Sequence, residues 1–354
     1  MATTPEEKEA VYRLRYDIYV AEMGLFRDNA DHEHRQLVDP EDESSWIFYA
    51  SEGERAIATM RITWGGDGFS QRQIRQYELA PFLAEIPAER ISVGERAMVA
   101  PAWRGTDLLW QLGTVSETVS DQHDIRIVFG ACEPHLISFY CRFQRTYAAR
   151  NINTPEGGYL IPLIGFRTGA EALTGLGAGD QLPRCVEQAL STTGAVRTPM
   201  LGDADAYVAD VTRGLAAVGA TVFDGFTDAE IARCLGKSNV ITTAEGDRLL
   251  RQGGVARNFF VLLSGALEVS SDGHPVGAVL PGEVVGEMAY LLEQPRSFDV
   301  DVLCDGTQLL SLSERTLRCL TDEDPVVAAK LFANISKVLC RRLTPASARL
   351  ARAG

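Results

Sequence analysis

A short stretch near the C-terminal end combines residue types that suit a small phosphodiester. Residues 281–300 are PGEVVGEMAYLLEQPRSFDV, and the candidate ligand-binding residues among them are Gly286, Glu287, Met288, Ala289, Arg296 and Ser297. Gly286 lets the backbone approach a ligand closely, and the first N–H groups of a helix at Met288 attract an anion. Arg296 would add a charge-assisted pair to a phosphate, and Glu287 can accept hydrogen bonds from a ribose hydroxyl.

These residues, at this spacing, resemble the phosphate-binding cassette of cyclic-nucleotide-binding domains. The flanks agree: residues 222–235 resemble the entry helix, EGDRLLRQGG and FFVLLSGALEV resemble strand segments of the β-roll, and residues 325–343 resemble the closing helix. The resemblance implies a cyclic nucleotide effector, with cAMP slightly favoured over cGMP, and a possible homodimer through this domain. The alternative is a β-roll that has lost its ligand and only mediates dimerisation. Phe298-Asp299 depart from the pattern, and the acid could weaken binding by partly neutralising Arg296.

The N-terminal half alternates segments typical of helices and strands. Apolar residues at helical spacing over residues 5–23 predict a helix ended by Gly24. Strand-like runs follow at residues 46–50 and 56–64. Further strands are predicted at residues 90–101, 125–132 and 157–164, with helices at YELAPFLAEI, WRGTDLLWQLGTVSETVSD and PHLISFYCRF. Strands alternating with helices indicate a mixed α/β layer structure.

That order resembles the Gcn5-related N-acyltransferase fold, in particular its autoinducer-synthase and N-acyl amino acid synthase branch. The motifs that carry the resemblance are YRLRYDIYVAEMG, VDPEDESSWIFYA, ATMRI, GERAMVAPAWRG and CEPHLISFYCRF, within about residues 5–165. The resemblance implies transfer of an acyl group from a thioester to an amine. This chemistry needs a base for the ammonium proton, stabilisation of the carbonyl oxygen and an acid for the leaving thiolate.

Two side chains are candidates for the proton transfers. Glu95, on the predicted central strand, is the candidate base, directly or through water, and its alternative role is to pair with Arg96 or Arg61. Tyr140 is the candidate acid, and its alternative role is to pack a helix on the sheet. Backbone groups near Val99 could polarise the thioester carbonyl.

Four arginines complete the candidate substrate-binding set: Arg15, Arg61, Arg96 and Arg104. Arg15 and Arg61 could bind an acceptor carboxylate, or they could be solvated or paired with Asp39 and Asp42. The loop after Arg104 departs from the R-x-x-G-x-G/A pattern of acetyl-coenzyme A users.

In that loop Asp107 and Leu109 replace glycines that would let the backbone bind a pyrophosphate. The loop therefore favours acyl carrier protein over acyl-coenzyme A as donor. Leu25 stands where the autoinducer branch usually has a tryptophan, which favours an amino acid or another small-molecule amine as acceptor over S-adenosylmethionine.

Composition limits the remaining classes. The chain has 354 residues, 45% of them hydrophobic, and a net charge of −14, which argues against non-specific nucleic-acid binding. The segment after the closing helix is too short for a helix-turn-helix, so we expect no DNA binding of that kind. Scattered cysteines and the absence of a long apolar run predict reduced thiols, a cytoplasmic location and no transmembrane segment. The polar loop at residues 27–45 is weak evidence for a metal, and we predict none.

The sequence thus predicts an α+β protein with an acyltransferase-like domain of mixed α/β type and a C-terminal β-roll with flanking helices. The expected boundaries are 1–165 for the first domain, 166–218 for a Gly-rich linker and helical connector, and 219–354 for the second. The expected function is a cyclic-nucleotide-regulated N-acyltransferase. Alternatives are a catalytically silent nucleotide-responsive binding protein and a nucleotide-gated protein lysine acetyltransferase.

Overall fold

The structure is a computed structural model. It describes residues 1–353 except 149, 155–157, 168–172, 175–180, 192–194, 200–202, 220, 237 and 256–257, and much of the predicted Gly-rich linker lies outside the described residues. The chain forms two compact units. The first contains Met1–Cys132 and Phe143–Gly194, and the second contains Glu133–Arg142 and Ala195–Gly354.

The N-terminal unit is built on one mixed sheet with helices on both faces. Its described strands are β1 (Ser45–Glu52), β2 (Arg55–Trp64), β3 (Ile91–Val99), β4 (Ile127–Cys132), β5 (Arg145–Thr146), β6 (Ile152–Thr154) and β7 (Gly158–Phe166), in the order β1-β2-β3-β4-β7-β5 with β6 beside β7. The β3–β4 pair is parallel, and its neighbours are antiparallel. The helices are α1 (Pro5–Arg15), α2 (Gln71–Gln76), α3 (Ala80–Glu85), α4 (Leu108–Gln122) and α6 (Arg184–Ser191).

The opening helix forms as its sequence predicts. Thr4 and Glu7 make a capping box at the start of α1, and the helix continues in a wider π-helical turn over Tyr16–Glu22. Gly24 then takes a φ of 71°, a left-handed conformation that favours glycine, and ends the helix. The predicted helix over residues 5–23 is therefore confirmed.

One face of the sheet carries apolar side chains and the other carries charged ones, because side chains alternate between the faces along each strand. On one face, Phe48 and Ile62 pack against Leu112 of α4. On the other face, Arg61 of β2 and Glu95 of β3 are direct cross-strand neighbours. This second face, which α1 and α2 also approach, carries the charged residues that the sequence singled out.

The C-terminal unit is a β-roll with helices packed on one side. One sheet has the order β14-β11-β16-β9-β8 and the other β10-β15-β12-β13. The strands are β8 (Val196–Arg197), β9 (Asn239–Thr243), β10 (Arg248–Leu250), β11 (Phe259–Ser264), β12 (Leu267–Ser271), β13 (His274–Val279), β14 (Val284–Val285), β15 (Asp299–Val302) and β16 (Thr307–Leu312).

Its helices are α5 (Ile137–Tyr140), α7 (Ala204–Ala217), α8 (Asp228–Leu235), α9 (Glu287–Leu291), α10 (Glu314–Glu323) and α11 (Pro325–Ala353). Apolar side chains from α7, α8, α10 and α11 meet Phe259 and Val261 of β11 in one core cluster. The fold is thus the predicted α+β class, and the long closing helix is present. In the described part of the chain no helix meets the length and hydrophobicity needed to cross a membrane.

Candidate functional site

Arg296 lies buried at the centre of the predicted nucleotide cassette. Its side chain donates from Nη1 to the Gly286 carbonyl, and from Nη2 to the carbonyl and to Oδ1 of Asn258, the latter at 3.0 Å. The Nε atom is buried and has no hydrogen-bond partner among the described residues. Burial lowers the pKa of Arg296 to about 10, against the opposing charges of Glu287 and Glu133. A buried cation with an unused donor is suited to bind an anion.

Gly286 must be glycine for the cassette to have this shape. Its φ is 87°, and a Cβ added there would lie 2.7 Å from Nη1 of Arg296 and 3.2 Å from the Asn258 carbonyl oxygen. A side chain would therefore push the arginine out of place. The sequence pattern identified this glycine and arginine but did not identify Asn258, which stands just before the apolar run of β11.

Glu287 begins the short helix α9 and is 3% exposed. Burial raises its pKa, and the cations Arg342 and Arg296 oppose that rise. Nη1 of Arg342, on the closing helix α11, lies 3.5 Å from its Oε1. The remaining predicted members stand beside these two: Met288 and Ala289 belong to α9, and Ser297 follows Arg296 and is exposed.

The carboxylate of Asp299 is bound by residues outside the Gly286–Arg296 cassette. One of its carboxylate oxygens lies 3.1 Å from Nη1 of Arg248, and the other accepts the Gln252 backbone N–H at 2.8 Å. The charges that act on Arg296 belong to Glu287 and Glu133. Strand β15 turns that carboxylate toward Arg248, which does not favour the expected weakening of the site by Asp299.

In the N-terminal unit, strands β3 and β4 separate at the predicted central strand. They pair only from Ile91 with Ile127 to Gly94 with Gly130, whereas β3 continues to Val99. At this point β3 also bulges against β2, and Arg96 takes a φ of 56°. A bulge leaves backbone groups outside the ladder and redirects side chains, so it is a usual place for a binding site.

Most of the N-terminal charged residues that the sequence singled out lie in a buried charge cluster beside this bulge, together with Glu41 and Arg72, which it did not single out. We use that name for Arg15, Asp39, Glu41, Asp42, Arg61, Arg72, Glu95 and Arg96. Nη1 of Arg15 donates to both oxygens of Asp42 at 2.7–2.8 Å, and Nη1 of Arg61 donates to Asp39 at 2.8 Å and to Asp42 at 3.0 Å. The side chains of Arg15 and Arg61 are 0% exposed. Arg15 and Arg61 are therefore paired with Asp39 and Asp42, which is one of the alternatives that the sequence analysis offered. Because they are covered, an acceptor carboxylate cannot reach them in this structure.

Arg96 is also held tightly in this cluster. Its guanidinium makes a bidentate pair with Asp39, at 2.6 and 2.7 Å. It also lies over the rings of Tyr19 and Phe26, with its central carbon 5.0 and 4.2 Å from their centroids. Such a cation–aromatic arrangement fixes the opening helix to the bulge. Arg96 is thus part of the framework around the site.

Glu95 is surrounded by donors. Its carboxylate accepts from Arg61 at 2.8 Å, from Arg72 at 2.9 and 3.0 Å, from Gln73 at 2.9 Å and from Tyr77 at 3.1 Å. Burial by itself would raise the pKa of Glu95, but the charges and hydrogen bonds of Arg61 and Arg72 outweigh it and lower the pKa to about 2. Such a carboxylate is a weak base. The geometry favours the structural alternative for Glu95, with Arg61 and not Arg96 as partner.

The sequence did not identify the α2 residues that complete this arrangement. Arg72 and Gln73 both reach Glu95, and Arg72 also donates from Nε to Glu41 at 2.9 Å. Their one signal is Ser70 with Gln73, a capping box that starts a helix at this position. Which strand that helix faces depends on tertiary packing.

The loop after β3 keeps Arg104 at the surface. Its guanidinium makes a bidentate pair with Glu22, at 2.6 and 2.7 Å, and its Nε donates to the Val99 carbonyl at 3.3 Å. Asp107 is the N-cap residue of α4 and is exposed, so its carboxylate stands at the positive end of that helix. An anionic pyrophosphate at this end would meet a like charge.

Tyr140 and Glu95 belong to different compact units. Tyr140 ends α5 in the Glu133–Arg142 segment, which belongs to the C-terminal unit, and its ring contacts that of Phe139 with centroids 5.2 Å apart. Its role as acid stays a prediction. Among the residues that the structure describes, no group of three or more His, Cys, Asp or Glu side chains could hold a metal ion.

Family models match both the N-terminal and the C-terminal part of the chain. The family model "N-acyl amino acid synthase FeeM" matches residues 10–155, and the model "Cyclic nucleotide-binding domain" matches residues 240–324. The chain joins a FeeM-type N-acyltransferase domain to a cyclic nucleotide-binding domain. The first domain contains the buried charge cluster and the β3 bulge, and the second contains Gly286 and Arg296.

Individual relatives are distant. A Pycsar effector protein, XpPycTIR, from Xanthomonas perforans is 27% identical over 111 residues, which cover 31% of this chain and 36% of that protein. The chain thus spans about a third of that curated relative. A cyclic nucleotide-binding domain from Methylobacillus flagellatus is 20% identical, covering 46% of this chain and 92% of that one, with a TM-score of 0.39. The Thermus thermophilus catabolite activator protein is 25% identical, covering 37% and 62%, with a TM-score of 0.33.

Proposed function

We propose that this protein transfers an acyl group from a carrier thioester to the amino group of an amino acid, and that a cyclic nucleotide bound in the C-terminal domain regulates the transfer. The family matches support an N-acyltransferase domain and a nucleotide-binding domain. The observation that carries the nucleotide site is the buried Arg296, whose Nε is a donor without a partner among the described residues. A cyclic phosphate would supply that partner.

In the proposed reaction, the amine attacks the thioester carbonyl where β3 and β4 separate. Backbone N–H groups on β3, from the bulge at Arg96 toward Val99, would stabilise the oxyanion. Glu95, fully engaged with arginines, would hold Arg61 and Arg72 in place, and proton removal would proceed through water. Tyr140 remains our candidate for protonating the leaving thiolate.

Acyl carrier protein is the donor that the loop after β3 favours. The exposed Asp107 at the start of α4 repels a pyrophosphate, and a phosphopantetheine arm on a carrier protein lacks that group. The same loop counts against a lysine acetyltransferase that uses acetyl-coenzyme A. For the effector we favour cAMP slightly over cGMP, and dimerisation through the C-terminal unit stays a prediction.

Regulation is supported by the path of the chain. The segment Glu133–Arg142 follows β4 and precedes β5 of the N-terminal unit, but it packs with the C-terminal unit. There Pro134–Leu136 contacts β16, and the Glu133 charge acts on Arg296. A nucleotide phosphate at Arg296 would add a second negative charge near Glu133. Binding would then favour another position of the segment that carries Tyr140.

The test is acyl transfer by the full chain, read by mass spectrometry. Acyl-loaded carrier protein or acyl-coenzyme A is incubated with mixed amino acids, with and without saturating cAMP or cGMP, for the wild type and Arg296→Ala. We expect N-acyl amino acids whose rate of formation responds to nucleotide in the wild type, by about 5- to 150-fold, and not in the variant.

Two results would contradict the proposal. Product formation that ignores the nucleotide would leave the C-terminal domain as a dimerisation or localisation module. Nucleotide binding without any product, from either donor, would instead favour the alternative of a catalytically silent, nucleotide-responsive binding protein.

A further inference from the structure

The buried charge cluster meets solvent mainly through one arginine. The side chains of Arg15 and Arg61 are 0% exposed and that of Arg96 is 13% exposed, whereas that of Arg72 is 41% exposed. The partners of Arg72 are almost covered, since Glu41 is 7% and Glu95 is 8% exposed. Within the described chain, Arg72 is therefore the cation of this cluster that a dissolved substrate can reach without unfolding it.

Arg72 also has a donor to spare. Its Nε donates to Glu41, its Nη1 to Gln76 at 3.0 Å and to Glu95 at 2.9 Å, and its Nη2 to Glu95 at 3.0 Å. A guanidinium has five N–H groups, so one N–H on Nη2 has no partner among the described residues. Three carboxylate or amide partners hold the group rigidly, which reduces the entropy lost when it binds a ligand.

The charge balance of the cluster favours a zwitterion. Its four arginines face four carboxylates, Asp39, Glu41, Asp42 and Glu95. An amino acid adds one negative and one positive group and leaves that balance unchanged. An amine without a carboxylate would add an uncompensated positive charge beside Arg72, which costs more at a partly buried site.

We propose that Arg72 binds the carboxylate of the amino acid acceptor and thereby selects acceptors that carry one. This inference rests on the proposed N-acyltransferase function. It replaces Arg15 and Arg61, the arginines that the sequence indicated for this task, because both side chains are 0% exposed and paired with Asp42. Anchoring the carboxylate fixes the amino group two bonds away, beside the β3 bulge where the acyl thioester would lie. Arg72 is thus a positioning and specificity-determining residue.

The test compares two acceptors that differ only in the carboxylate: an amino acid that the wild type uses, and its amide. For each, kcat/KM is measured for the wild type, Arg72→Met and Arg72→Lys, with the same acyl donor. We expect the wild type to prefer the amino acid by about tenfold or more, as a charge-assisted hydrogen bond predicts. The preference should disappear in Arg72→Met through a higher KM for the amino acid, and should return in part in Arg72→Lys.

Arg75 provides a matched control on the same helix. It is exposed and makes no ion pair among the described residues, so Arg75→Met should keep the wild-type preference. If Arg72 only supports Glu95, both acceptors will lose activity equally in Arg72→Met and their ratio will not change. That result, or a wild type without preference, overturns the inference while leaving the acyltransferase proposal intact. Failure of every amine as acceptor would overturn both.

Discussion

The replacement of Arg296 by alanine gives the sharpest test of the nucleotide site. In the structure Arg296 is 5% exposed and its Nε lacks a partner among the described residues. A phosphate bound there would make a charge-assisted hydrogen bond in a site with little water. Such a bond contributes about 1.5–3 kcal/mol, so Arg296→Ala should weaken the dissociation constant for cAMP by about 10- to 150-fold.

The same replacement has a second effect that must be measured separately. Arg296 donates to the Gly286 and Asn258 carbonyl groups, and the variant would lose these hydrogen bonds. Losing hydrogen bonds from a charged donor costs about 1.5–3 kcal/mol of folding free energy. The calorimetric titration with cAMP should therefore be carried out well below the midpoint temperature of thermal unfolding of the variant. That temperature should be determined on the same sample.

Arg318→Ala is the matched control for lost positive charge. Arg318 lies on α10 of the same unit, its side chain is 68% exposed, and among the described residues its ion pair is with Glu314 one helical turn away. An exposed pair of this kind contributes little, so nucleotide affinity should stay at the wild-type value. A folded Arg296→Ala protein that binds cAMP as tightly as the wild type would refute the assignment of the cassette.

Two further predictions concern the N-terminal domain. Replacing Asp107 and Leu109 together by glycine should raise the affinity for acyl-coenzyme A, while transfer from acyl carrier protein continues. If the wild type already binds coenzyme A tightly and the double variant binds it equally well, the argument from this loop is wrong. The free energy of unfolding of the domain should also decrease as the pH falls from about 4.5 toward 2. The pKa of Glu95 is lowered to about 2 in the folded state, so the ionised carboxylate stabilises the fold fully above its unfolded pKa. This contribution is lost as the pH falls toward the folded pKa. Denaturant titrations at several pH values would measure the free energy of unfolding. Glu95→Gln should be less stable than the wild type at pH 7, and its stability should depend less steeply on pH. An equal pH dependence in both proteins would assign the loss of stability to other groups.

The buried charge cluster also explains why catalytic candidates are hard to assign from the sequence in this domain. An arginine or glutamate in a short motif has the same letter whether it contacts substrate or holds a strand in place. Glu95 stands on the expected strand, but four neighbouring side chains occupy its oxygens. Burial and saturation of the carboxylate decide its role, and neither is encoded within the motif itself.

The sequence by itself determined the features whose cause is local. The cassette needs a glycine in the left-handed conformation and, ten residues later, an arginine whose side chain contacts it. Gly286 and Arg296 were therefore identifiable from their spacing. The opening helix and its end at Gly24 follow from a capping box, apolar periodicity and a glycine. The alternation of strands and helices likewise indicated the α+β class.

Only the tertiary structure decided which distant side chains meet. Asn258 contacts Arg296 because the fold brings the start of β11 next to the cassette. Arg72 contacts Glu95 because α2 packs on the paired strands β2 and β3. The grouping of the Glu133–Arg142 segment with the C-terminal unit is of the same kind. These contacts join residues far apart in the chain, and their free energy depends on burial, which local spacing does not specify.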